Sequence, residues 1–261
     1  MKIGIVGYGY VGEAMCNFFM SKYEVFVFDG PKGLGMEADI NKCDMAVVCV
    51  PTPMGEDGAC DTSIVEQVVG WIDTPLILIK STVSPGTTDR LINKYGKRIV
   101  FSPEYCGEPD YDPGHNFASN AANEPFHVFG GNPEDTSAVT QIVSRLAGPT
   151  KVYYQVSAIE AEIIKYMENA FLGTKVVFTY EMQKICETLG ADFHKVREGW
   201  LLDPRINKSH TMYFADNESP FGGKCLPKDI NGIIQACEAA GYSPGFIKEL
   251  LASNKRLGNK S

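Results

Sequence analysis

The sequence predicts an α/β chain: a Rossmann-type doubly wound parallel sheet followed by a smaller all-helical domain with one long connecting helix. Three observations predict it. A glycine-rich turn, Gly7-Tyr8-Gly9-Tyr10-Val11-Gly12, joins a short apolar strand to a helical stretch, and further short apolar runs each end in polar, turn-rich segments. From Ser157 a single helical pattern then runs unbroken to Leu189. The reading divides the chain into a dinucleotide-binding domain, 1–156, and a helical domain, 157–261, that carries a cysteine loop.

Bulk composition bounds the rest. The chain has 261 residues, enough to bury one or two cores of ordinary size, and 44% hydrophobic with 21% charged residues is globular usage. A net charge of -8 argues against the phosphate-binding surface that nucleic acid requires. No segment has the apolar length to span a bilayer, and the amino terminus has no basic stretch leading into an apolar run, so a cytoplasmic protein with no membrane partner is expected. The eight cysteines are scattered without a CxxC pair, which speaks against disulfides and structural metal.

Lys2 to Val6 is an apolar strand, and the glycine turn follows it into a helix through Met20. Its first glycine allows the tight turn, its second lets backbone approach a pyrophosphate, and its third lets helix pack on strand. The helix then aims its positive end at the phosphates. Val25 to Phe28 is the second strand and ends in Asp29, where a carboxylate accepts both ribose hydroxyls and repels a 2'-phosphate; this favours NAD over NADP. The alternative for Asp29 is a turn former ahead of Gly30-Pro31.

Met45 to Val50 and Leu76 to Lys80 are near-continuous apolar runs, as buried parallel strands are. They deliver Pro51-Thr52-Pro53 and the loop Ser81 to Thr88 to the sheet edge where ligands sit in open α/β folds. Arg98 to Phe101 delivers Ser102-Pro103-Glu104 to the same edge. For Thr52 and Ser81 an ordinary turn role stays open. Tyr105 to Glu124 reads as a long surface loop, and a strand from Phe126 to Phe129 with a helix from Pro133 to Leu146 closes this half.

The second half opens on a capping box, Ser157-Ala158-Ile159-Glu160, and Gly190 stops its helix after roughly 50 Å. Lys165 and Asn169 are four apart and project from one face, a spacing equally compatible with a solvated stripe. The apolar faces of so long a helix exceed what a small helical domain covers, which suggests a homodimer. The segment from Ser219 to Asp229 sets Cys225 after two glycines, with Pro227 as at the start of a helix. A thiol at a helix amino terminus beside Lys228 has its pKa lowered and is an activated nucleophile; a cysteine packed under a turn is the plain alternative.

With these residues the chain resembles the UDP-glucose/GDP-mannose dehydrogenase family. The matching pieces, in the family's order, are GYGYVG (7–12), VPTP (50–53), STVSPGTT (81–88), SPEY (102–105), EIIKYMENAFLGTK (162–175), DPRI (203–206) and FGGKCLPKD (221–229). The resemblance implies NAD-dependent, four-electron oxidation of a nucleotide sugar's C6 primary alcohol to the uronic acid. Cys225 would capture the aldehyde as a thiohemiacetal and carry the thioester that follows. Lys165 and Asn169 would stabilise the oxyanion, Asp229 with Thr82 would position the hydrolytic water, and Glu104 would help proton transfer. Gly7, Tyr8, Gly9, Tyr10, Val11, Gly12, Asp29, Val50, Pro51, Thr52, Ser81, Thr82, Glu108 and Lys228 would bind NAD. Glu104, Tyr105, Lys165, Asn169, Arg205, Phe221, Gly222 and Cys225 would meet a UDP- or GDP-hexose.

Departures from the family pattern accompany the match. Members usually carry a third, carboxyl-terminal domain, whereas this sequence stops at Ser261. The stretch from Asp29 to Met45 is short, so a helix and strand on the adenosine side are expected to be trimmed. The loop after Glu104 reads Tyr-Cys-Gly-Glu-Pro, the usual arginine before the Phe126 strand is missing, Asn207 to Ser219 is longer than typical, and Lys224 stands where serine is usual. Two other readings remain: a two-electron NAD dehydrogenase of the hydroxy-acid type, and a truncated, non-catalytic protein that binds NAD or a sugar nucleotide.

Overall fold

The computed structural model describes residues 1–105, 121–214, 217–223 and 225–258. The described residues fall into two compact units, one within 1–56 and 60–165 and the other within 57–59 and 166–258. The units part inside the long helix rather than ahead of it, where the sequence reading divides the chain.

The first unit is built on a seven-stranded sheet, counted over the described residues, in the order β2-β1-β3-β4-β5-β6-β7. The strands are β1 (Lys2–Val6), β2 (Glu24–Phe28), β3 (Met45–Val48), β4 (Ile77–Ile79), β5 (Ile99–Phe101), β6 (Phe126–Gly130) and β7 (Val152–Val156). All neighbours run parallel except β5 and β6, which meet antiparallel at Phe101 and Gly130. Alternation along the strands sends side chains to two cores. Ile3, Ile5, Met45, Val47, Leu78 and Val100 pack with helices α1 (Tyr10–Met20) and α5 (Pro133–Ala147). Ala46, Val48, Ile77, Ile79, Ile99 and Phe101 face the other way, onto α3 (Ser63–Trp71) and α4 (Thr87–Tyr95). Buried on both faces, the central strands carry the near-continuous apolar runs from which they were read.

Between β2 and β3 the chain makes only a bridged turn, Asp29 to Leu34, and the four-residue helix α2 (Glu37–Ile40), and β2 is the sheet's edge. So short a connection leaves no length for a further helix and strand. Strand β7 was not expected. It lies at the opposite edge with Val152 60% and Tyr154 55% exposed, so it lacks the apolar run that marks a buried strand. Likewise α4 begins at Thr87, inside the stretch expected to be loop. Of the loop read over Tyr105 to Glu124, residues 106–120 lie outside the described residues.

Helix α6 (Ala158–Thr188) starts at the expected capping box, with the backbone N–H and the hydroxyl of Ser157 both donating to Glu160 at 2.8 and 2.6 Å. Gly190, at φ 72°, follows its end. In the second unit, α6 from Tyr166 onward packs with α8 (Leu226–Ala239) and α9 (Gly245–Gly258) around Val177, Tyr180, Phe221, Ile230 and Leu250; α7 (Phe193–Trp200) lies between α6 and α8 in sequence. Two glycines bring α8 close to α6. A Cβ on Gly173 would lie 2.8 Å from the Ile230 side chain, and one on Gly232 would lie 3.2 Å from the Tyr166 ring. No helix among the described residues is long and apolar enough to cross a membrane.

Candidate active site

In the first unit the glycine turn shows why glycine is needed. Gly7 has φ 87° and a Cβ there would meet the Cys49 carbonyl oxygen at 2.7 Å, while a Cβ on Gly12 would meet the Gly7 oxygen at 1.9 Å. In front of Gly9, by contrast, a Cβ would find nothing within 4 Å. That open space lies at the amino end of α1, whose Glu13 N–H makes the bond back to Gly9, so the helix dipole and the preceding amides face it. The turn therefore has the room and the sign of charge that a pyrophosphate requires. Tyr8 and Val11 are half-buried beside it and Tyr10 is exposed.

Asp29 stands at the end of β2, half-buried, and braces this turn. Its carboxylate accepts from the Tyr8 N–H at 2.8 Å and from the Lys32 N–H at 3.1 Å. Lys32, which the sequence reading missed, returns the brace by donating to the Tyr8 carbonyl at 2.6 Å. Asp29 thus shapes the 29–34 turn and, through the Tyr8 N–H, also joins it to the glycine motif.

The segments after β3, β4 and β5 are tied to one another. Ser81 donates to the Val50 carbonyl at 2.7 Å, joining the first two. The buried Cys60 thiol donates to the Thr82 carbonyl at 3.4 Å and lies 4.0 Å from that of Thr52. Thr52 and Thr82 are half-buried and Pro51 is exposed. Lys80 directly follows β4, with only 4% of its side chain exposed; its ammonium donates to the Pro103 carbonyl at 2.8 Å and to Ser102 at 3.3 Å, and lies 3.8 Å from the Glu104 carboxylate. From α6, Lys165 donates to the Glu104 carbonyl at 2.6 Å and lies over the Tyr105 ring at 5.2 Å. Glu104, Tyr105 and Lys165 are therefore neighbours. Glu108, expected at the cofactor, lies outside the described residues.

In the second unit Cys225 is the N-cap residue of α8, followed by Pro227 in the first turn. One turn on, the Asp229 N–H donates to the Cys225 carbonyl at 2.8 Å. Asp229 is 2% exposed, and both its oxygens are engaged: Asn169 donates to one and the Lys228 ammonium to the other, each at 2.5 Å. Lys228, expected to bind cofactor, here holds Asp229. Phe221 is buried in the core and its backbone is gripped by Asn254, which accepts from its N–H at 2.9 Å and donates to its carbonyl at 3.0 Å. Gly222 is exposed. Arg205 is exposed, on a turn where it forms an ion pair with Asp203.

Exposure separates the cysteines. Among those described only Cys225 is exposed, Cys237 is intermediate, and the others are buried. Burial pushes the thiols of Cys16 and Cys49 up, and that of Cys43 up to about 11, so none of the three is a ready thiolate. No cluster that could hold a metal ion occurs among the described residues.

Residues 34–143 match the NAD binding domain of the UDP-glucose/GDP-mannose dehydrogenase family, and residues 159–256 match the central domain of the same family. A UDP-glucose 6-dehydrogenase of Rickettsia typhi is 31% identical over 233 residues, which cover 85% of this chain and 51% of that protein. One from Pseudomonas aeruginosa is 31% identical over 225 residues, covering 82% and 49%. The chain thus spans about half the length of the curated relatives it matches. The solved structure of a UDP-glucose dehydrogenase from Pyrobaculum islandicum has the same fold, with a TM-score of 0.80 at 23% identity over 98% of this chain and 68% of that one. With the NAD-domain match, the glycine turn and the space before Gly9 make NAD the dinucleotide of the first unit.

Proposed function

The chain belongs to the UDP-glucose/GDP-mannose dehydrogenase family, and from that premise we propose that it oxidises the C6 primary alcohol of a UDP- or GDP-hexose to the uronic acid through a thioester on Cys225. The observation that carries this reading is the pairing on α8 of an exposed thiol with a buried carboxylate one turn away, the latter held by Asn169 and Lys228.

Two NAD molecules, bound in turn, would supply the acceptors for the two hydrides that leave C6. The glycine turn and the amino end of α1 would hold the pyrophosphate of each, and Asp29 would accept from its ribose hydroxyls. After the first hydride leaves, the Cys225 sulfur adds to the aldehyde carbon and forms a thiohemiacetal. Loss of the second hydride leaves the thioester. Water then attacks that carbonyl, the C–S bond breaks, and the carboxylate departs as the thiol is restored. Asp229 and Thr82 orient the water, Lys165 and Asn169 steady the oxygen as it gains charge, and Glu104 accepts a proton. A preorganised donor of this kind lowers the barrier by about 3 kcal/mol.

The stripe along α6 of Ile159, Ile163, Met167, Phe171, Phe178 and Ile185, between 42 and 74% exposed, supports a homodimer through this helix. The test of the chemistry is stoichiometry with UDP-glucose and GDP-mannose: two NADH per carboxylate, and a trapped thioester in Asp229→Asn. One NADH per product would select the two-electron reading instead, and NAD binding without turnover on any nucleotide sugar would select a binding protein.

A further inference from the structure

Helix α6 does more in the first unit than carry Lys165. Glu162, one turn earlier, is fully buried, and its carboxylate accepts three hydrogen bonds from the segment after β4. One oxygen takes the Gly86 N–H at 2.5 Å; the other takes the Thr88 N–H at 2.8 Å and the Thr88 hydroxyl at 2.7 Å. These amides form the amino end of α4. That helix has no cap of its own, because its N-cap residue is Gly86, held in the left-handed region at φ 88°. A carboxylate from a distant helix thus fills the place a local Ser or Asp would take, where the helix dipole favours an anion. Burial pushes the Glu162 carboxyl up, and the bonds from Thr88 and Gly86 pull the other way.

The segment so capped is the one that carries Thr82. Its near end is fixed by Ser81 on the Val50 carbonyl and by Cys60 on Thr82 itself. Beyond Thr82 come Val83, Ser84 and Pro85, and then the amides that Glu162 holds. We propose that Glu162 is a positioning residue: by capping α4 from α6 it fixes the far end of the 80–88 loop, and through it the place of Thr82 in the water-attack step. This rests on the reading that Thr82 orients the hydrolytic water. Together with Lys165, three residues on and bonded to the Glu104 carbonyl, Glu162 makes the start of α6 a clamp on the loops after β4 and β5.

The experiment compares the full chain with its Glu162→Gln, Thr88→Val, Thr88→Ser and Thr82→Ala variants. Amide hydrogen exchange by mass spectrometry reads the loop, and acid-quenched intact mass after mixing with NAD and UDP-glucose reads the adduct on Cys225. Glu162→Gln is expected to speed exchange over 81–88 about tenfold while β1 is unchanged. It is also expected to accumulate the thioester as Thr82→Ala does, and to add nothing further in the Thr82→Ala background. Thr88→Val should act in the same direction more weakly, and Thr88→Ser should resemble the parent. Should Glu162→Gln not fold, the two Thr88 variants decide. Unchanged exchange over 81–88, or exchange raised equally across the sheet, overturns the clamp. If Thr82→Ala accumulates thioester and neither Glu162→Gln nor Thr88→Val does, the clamp fails and the reading of Thr82 stands. If Thr82→Ala accumulates none, that reading fails and the role given to Glu162 falls with it.

Discussion

In the first unit Thr82 and Glu104 ride on loops that leave the ends of β4 and β5, whereas in the second Cys225 and Asp229 lie on one turn of α8, four residues apart. A helix turn fixes its members through its own ladder, here the Asp229 N–H on the Cys225 carbonyl. A loop beyond a parallel strand has no ladder, and it is held only by what reaches it from elsewhere. In the first unit such ties include Ser81, Cys60, Lys80, Lys165 and Glu162. The lesson is a division of vulnerability. In the helical unit the backbone of the reactive turn is fixed by its own ladder and Asn169 is added as a tie on the Asp229 side chain, whereas in the sheet unit the loops themselves rest on ties.

The largest expected effect tests the helical side. Cys225→Ser should lower carboxylate formation about 10⁴-fold or more, since the hydroxyl lacks the thiolate's nucleophilicity. Melting should be unaltered, because the side chain is exposed. Carboxylate formed at the parent's rate would end the covalent route. Next comes Asn169→Ala, which strips one of the two donors from a carboxylate only 2% exposed. A fall of about 10²-fold in kcat, read as NADH release at saturating substrates, is expected; an unchanged kcat would leave Asn169 a packing residue.

Lys80→Met probes the sheet side, where the cost should appear as stability. It leaves the Pro103 carbonyl without this donor and the Glu104 carboxylate without this cation, at about 3 kcal/mol. Trp71 lies in the first unit, edge-on to Phe28, so its fluorescence in a Trp200→Phe background follows that unit alone. A lower urea midpoint is expected there. If the midpoint holds and only turnover falls, the division between the two units is wrong.

What could be read from sequence follows the same line. The glycine turn, the capping box at Ser157 and the Cys225 turn ahead of Pro227 are local devices whose parts lie within a few residues, so their mechanics show in the letters. Strands β1, β3 and β4 were legible because burial on both faces makes them apolar throughout. Strand β7 was not, since an edge strand needs no such run. The ties were invisible for a different reason. Glu162 meets Thr88 across 74 positions and Asn254 meets Phe221 across 33, and nothing near either residue marks it as a tether. Lys80 left one faint sign, a lysine closing an apolar strand. Arg205, singled out by resemblance, is met on an exposed turn with Asp203, a pairing its neighbour two residues away made readable.

Asn254 gives the smallest expected effect and the sharpest view of the comparison, because it is a long-range tie on the segment that enters the helical unit's cysteine turn. Asn254→Ala removes both bonds to the Phe221 backbone and leaves a buried N–H to find another acceptor, at about 2 kcal/mol. If α8 alone fixes Cys225, the thiol's behaviour should hardly change. If the entering segment matters as well, the rate at which iodoacetamide labels Cys225 at pH 8 should shift a few-fold. Cys186, buried in the same unit, separates the two cases, since it is labelled only when the unit opens. A rise at both cysteines in step would mean general loosening. A change at Cys225 with Cys186 unmoved would make Asn254 a local tether, and would extend to the nucleophile itself the dependence on a distant tie that Asn169 already gives Asp229.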